Sequence, residues 1–79
     1  MRTYLTAAET AAITRRSLRS IHELTRTAAI PHRRPAGTQR CLFDADEITA
    51  WLDGAELEVL ETPAGGRVVR PVSVVPRAA

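Results

Sequence analysis

A small α+β domain with three helices, a two-stranded β-hairpin and a C-terminal tail is the fold class this sequence predicts. Three observations lead there. Helix-start signatures stand at Thr6 and at Asp44. An amphipathic stretch with aliphatic residues on one side and Arg on the other lies between them. Two β-prone segments flank the turn Pro35-Ala36-Gly37. The 79 residues suffice for one small domain, residues 1–54, with an extension over residues 55–79. A domain of this size buries too little surface to build a deep substrate cleft.

The elements follow in chain order. Thr6-Ala7-Ala8-Glu9 is a capping box, with Thr6 as N-cap and Glu9 reaching back to its amide. The Ala-rich helix it opens is short and is expected to end near Ile13. Thr14 reads as the N-cap of a second helix running to about Thr27. Its pattern places Leu18, Ile21 and Leu24 on one face and Arg15, Arg16, Arg19 and Arg26 within an arc of about 100° on the other.

Ala29 to Arg34 reads as a short edge strand, because Pro31 has no amide to donate to a central ladder. Thr38 to Phe43 reads as the strand returning from the turn, with Cys41 a small buried residue of it. Asp44 caps the third helix with Glu47 three residues on, and Phe43 is placed to staple onto Ile48. Ile48, Trp51 and Leu52 form an apolar face, so Trp51 belongs to the core, and Gly54 fits the stop. Beyond it, residues 57–61 and 67–70 could pair as a hairpin, and an unstructured tail is the other reading.

Charge is distributed unevenly. All 11 basic residues are Arg, and the net charge is +2. Residues 1–43 hold eight Arg and two Glu, a balance of +6, whereas residues 44–62 hold seven acids and no base. A basic front half points to a polyanionic partner. The single Cys excludes an internal disulfide framework and any multi-Cys zinc site. No His and Cys stand at nucleophile spacing, and there is no Gly-rich phosphate loop or metal cluster. The expectation is a chain that is not an enzyme, with no cofactor and no metal. His22 is expected to be a polar surface residue, and His32 a structural residue or a phosphate contact. No apolar run is long enough to span a bilayer, and Met1 to Leu5 lacks the apolar core of a signal peptide, so no membrane partner is expected.

Two short helices, a hairpin and a third helix make a winged helix-turn-helix. Specific stretches carry a family likeness. They are Leu5-Thr6-Ala7-Ala8-Glu9-Thr10-Ala11, Thr14-Arg15-Arg16-Ser17-Leu18-Arg19, Ile30-Pro31-His32-Arg33-Arg34, Gly37, and Leu42 through Asp44 to Ala50-Trp51-Leu52. Together they resemble the small MerR-like winged-helix DNA-binding domains, and most of all the phage excisionases, or recombination directionality factors. The likeness covers about residues 4–53. The chain departs from the family pattern before the second helix. There Ala11-Ala12-Ile13-Thr14 replaces a longer first helix and a Leu-Gly-Val turn.

In a helix-turn-helix the second helix enters the major groove. Arg16 and Arg19 are then expected at base edges, where Arg reads guanine through two hydrogen bonds. Glu23 could accept from a cytosine amino group. Arg15 and Arg26 suit phosphates, with Thr14, Ser17 and Ser20 as shorter contacts. Arg33, Arg34 and Arg40 of the wing follow the backbone or enter the minor groove. Five or six such Arg would give a salt slope of roughly −4.5 to −5.5. The resemblance implies double-stranded DNA, a site-specific integrase and neighbouring copies on DNA as partners, in the cytoplasm of a bacterial host, on the nucleoid. A small phage transcriptional regulator of repressor or Cro type, and an antitoxin-type interaction protein, are the readings the residues leave open beside it.

Overall fold

Two turns of helix open the chain because the Thr6 box closes as its sequence dictates. The Thr6 hydroxyl accepts from the Glu9 amide at 3.1 Å, and the Glu9 carboxylate accepts from the Thr6 amide at 2.9 Å. The structure is a computed structural model and describes residues 4–38 and 40–72. Its elements are β1 (Tyr4–Leu5), α1 (Ala7–Thr14), α2 (Leu18–Arg26), β2 (His32–Arg34), β3 (Phe43–Asp44), α3 (Ala45–Leu52), β4 (Leu57–Glu61) and β5 (Arg67–Pro71). Three helices with antiparallel strands make this a small winged helix-turn-helix.

The turn between α1 and α2 corrects the expected boundary. Thr14 does not cap the second helix; it closes the first, and its hydroxyl donates to the Thr10 carbonyl at 2.8 Å. Arg15 follows in the left-handed region at φ 56°. Its amide and that of Arg16 return to the Ala12 and Ala11 carbonyls, at 3.3 and 3.0 Å. This is the Schellman stop that glycine normally supplies, here made by an arginine. Ser17 is the N-cap of α2, its hydroxyl accepting from the Ser20 amide at 3.0 Å. Arg15 and Arg16 therefore leave the second helix, and the four-Arg arc reduces to Arg19 and Arg26. Leu18, now the first residue of the helix, is 44% exposed rather than core. Ala28 repeats the device at the other end of α2, at φ 56°.

The wing also differs from the expected two strands. Arg33 and Leu42 exchange both backbone hydrogen bonds, at 2.8 and 2.9 Å, and this is an isolated bridge. Phe43 and Asp44, expected to end the return strand or cap a helix, also pair with Leu5 and Tyr4. Burying the Phe43 ring draws the chain that way, since its side chain is fully covered. β2 is an edge strand, as expected, first in a three-stranded sheet. It starts one residue after Pro31 and pairs on its other side with β5 in the register His32↔Val69 and Arg34↔Arg67. β5 pairs in turn with β4, Val59 opposite Val69, giving the order β2-β5-β4. Residues 73–79 of the C-terminal extension, and Gln39 of the expected return strand, lie outside the described residues.

One core holds the helices together. Leu5, Ala11, Ile21, Ile30, Phe43 and Ile48 are buried, with Leu24, Cys41 and Trp51 packed against them. Burying each large side chain contributes roughly 1.5–3 kcal/mol. Asp44 caps α3, accepting from the Asp46 and Glu47 amides at 2.9 and 3.1 Å. Gly54 ends it at φ 92°, with the Gly54 and Ala55 amides returning to Trp51 and Ala50.

Candidate nucleic-acid interface

The exposed side of α2 presents Arg19, His22, Glu23 and Arg26, opposite buried Ile21. Helical spacing sets Arg19, Glu23 and Arg26 roughly opposite Ile21 and His22 about 100° from it. Glu23 pairs with Arg26 within the helix, and its carboxyl is held below the usual carboxylate range by that guanidinium. Both side chains are largely exposed, so the pair adds little stability. It does occupy the Glu23 carboxylate that the sequence reading offered to cytosine.

The predicted arginines divide into two groups. Arg15, Arg19, Arg34 and Arg40 make no ion pair among the described residues. Arg15, Arg19 and Arg40 are exposed, and Arg34 is partly covered. The others are engaged within the fold. The Arg16 guanidinium lies over the Trp51 ring, 5.4 Å from its centre, and ties the turn to α3. Arg33 donates twice to the Glu47 carboxylate, at 2.6 and 2.8 Å, and stacks 5.9 Å from the Tyr4 ring. Glu47 raises the pKa of Arg33 further above its ordinary value. Of the hydroxyls, those of Thr14 and Ser17 serve helix ends, and Ser20 is partly covered.

The wing tip, Pro35 to Thr38 with Arg40, is exposed, and Arg40 lines a hollow with His22 and Thr25 of α2. Its root is buried. His32 is fully covered, and its Nδ1 lies 2.8 Å from the Ile30 carbonyl. Its Nε2 lies 3.2 Å from Arg67 Nη2, which also donates to the Thr25 carbonyl at 2.9 Å. A guanidinium can only donate, so Nε2 accepts and Nδ1 carries the proton. Burial, opposed by the Ile30 bond and aided by Arg67 and Arg34, lowers the His32 pKa and keeps the ring neutral. This Arg67–His32–Thr25 link joins β5, β2 and α2, and no signal in the sequence marked it. His32, expected as a structural residue or a phosphate contact, is buried in this link.

The model of the helix-turn-helix domain family matches residues 4–55, and the chain belongs to that family. The matched stretch contains both helices of the motif, the wing and α3. No curated protein and no solved structure matches the chain significantly. A helix-turn-helix domain suggests sequence-specific DNA binding and is typical of non-enzymatic regulators. Among the described residues no helix is long and apolar enough to cross a membrane.

Proposed function

We propose that this chain is a sequence-specific double-stranded-DNA-binding protein of the excisionase type. It binds and bends DNA near a recombination junction and directs an integrase towards excision. The observation that carries the DNA-binding part is the exposed Arg19 side of α2, with Arg40 of the wing lining one hollow with His22 and Thr25 of the same helix. That pairing suits a recognition helix in the major groove with a wing along the neighbouring backbone. The excisionase part rests on the motif likeness over residues 4–53, from the capping box to Ala50-Trp51-Leu52.

On this reading Arg19 reads base edges, Ser17 and Ser20 approach phosphates at the helix start, and Arg15 reaches the backbone from its turn. Arg34 and Arg40 hold the backbone along the wing. Arg16 and Arg33 act through the fold, by fixing the turn to α3 and the wing root to α3. Three Arg at phosphates, Arg15, Arg34 and Arg40, give a salt slope of about −2.7, shallower than the full set of predicted arginines would give.

The test is fluorescence-anisotropy binding to a 30-base-pair duplex across a salt series, followed by selection of the preferred site. Binding with a steep negative slope supports the DNA reading, and absence of binding at low salt removes it. Direct repeats in the selected sites, with stimulated excision when the chain is added to an integrase, support the excisionase reading. An inverted repeat over a promoter would move the function to a transcriptional regulator.

A further inference from the structure

A hollow of about 310 Å³ opens between α2 and the segment returning from the wing. His22 and Thr25 of α2 line one wall, Arg40 and Cys41 the other, and Ala7 and Phe43 complete the lining. His22 and Arg40 are exposed, whereas Phe43 is buried. The polar groups therefore stand at the mouth and the apolar ones form the floor. From this arrangement we infer that the hollow is a seat for one deoxyribose–phosphate unit of a DNA strand, with His22 and Arg40 sharing its phosphate. This rests on the DNA-binding reading above and adds to it a residue, His22, that the charge pattern of the sequence did not single out.

The chemistry of the hollow selects that occupant. A phosphate alone would gain nothing from the apolar floor and would be poorly solvated against it. A sugar edge covers the floor, and the phosphate then meets Arg40, a permanent cation, and the His22 ring, a donor in either charge state. The other charged groups around His22 are compatible with an anion. On its own helix these are Arg19, Glu23 and Arg26, and the Glu23 charge is answered by Arg26. From the returning segment Arg40 faces the same hollow. The position is also right for the wider complex. His22 lies on the flank of α2 next to Arg19 and lines the hollow together with Arg40.

The experiment is a methylphosphonate scan of the selected duplex at pH 7.5. Each phosphate in turn is replaced by its neutral analogue, and wild type, His22→Ala and Arg40→Ala are compared by anisotropy. Unchanged thermal unfolding of the two exposed-site variants serves as the folding control. The expected result is one position where neutralisation weakens wild-type binding about five-fold. At that position neither variant loses the full factor, because each has already lost part of the contact. Two results overturn the inference. In one, every sensitive phosphate remains equally sensitive in His22→Ala. In the other, His22→Ala binds the native duplex as tightly as wild type. In both, wild type still binds DNA, so the functional reading stands; failure of wild type to bind any duplex would remove both.

Discussion

Arg33 and Glu47 form a two-pronged ion pair, Nη1 donating to Oε1 at 2.6 Å and Nη2 to Oε2 at 2.8 Å. It joins the wing root to the first turn of α3. The Glu47 side chain is only 5% exposed and that of Arg33 20%. Removing either partner takes two charge-assisted hydrogen bonds from a largely buried group. Arg33→Ala is expected to destabilise the fold by about 3 kcal/mol, measured by urea unfolding. Arg33→Lys, which cannot donate in this fork, should recover only part of that. Any loss of DNA affinity in Arg33→Ala should vanish at temperatures where the variant is fully folded.

Arg19 and Arg34 should separate the two kinds of DNA contact. Arg19→Ala is expected to reduce the preference for the selected site over random duplex about ten-fold or more. Arg34→Ala should weaken binding to both duplexes alike and flatten the salt slope by about 0.9. Anisotropy on the two duplexes across a salt series reads both effects. Equal losses on cognate and random DNA for both variants would reverse this division of roles.

Acid should loosen the wing root. His32 is buried neutral beside Arg67, so its folded pKa lies below the ordinary 6.5. Between those two values the unfolded chain holds a proton that the fold does not. Stability therefore rises with pH through that window, is fully present above about 6.5, and is lost as the pH falls below it. Urea midpoints from pH 7.5 to 5 should fall for wild type. His32→Asn, which keeps a donor for the Ile30 carbonyl and cannot titrate, should show a flatter decline.

Two backbone positions give opposite expectations. Ala28 adopts φ 56°, so Ala28→Gly should stabilise the fold by about 0.5–1 kcal/mol in thermal unfolding. At Gly66 the reverse holds. An added Cβ would meet the Arg34 carbonyl at 2.8 Å, the Thr62 hydroxyl at 2.9 Å and the Ala36 amide at 3.0 Å. Gly66→Ala should destabilise by about 1–3 kcal/mol and disturb the wing, since two of those three atoms belong to it.

The parts of the fold that were legible in the sequence are those written in local chemistry. Thr6 with Glu9, Asp44 with its first-turn amides, and Gly54 all sit where their side chains or backbone freedom require. The α1–α2 turn was misread for an equally local reason. Thr14 is a good N-cap residue, and nothing about Arg15 announces a left-handed conformation that glycine would have marked. One turn of helix was thereby assigned to the wrong side, and two arginines with it. The non-local features had no signal at all. Glu47 reads as an N3 residue, and only the folded chain brings Arg33 across 14 positions to its carboxylate. The interface was readable as a basic region, but its division into exposed arginines and arginines bound within the fold depends on such contacts.

The sheet order β2-β5-β4 has a consequence for how the chain is made. During synthesis β2 and the wing tip leave the ribosome well before their supporting strand, for Arg67 lies 35 residues beyond His32. The helical half can assemble from local contacts, while the wing root stays open until β5 arrives. Closure of the wing root is thus deferred until residues 67–71 have been made. A nascent chain can form α2 early, yet gains a fixed wing root only when β5 closes the sheet beside it.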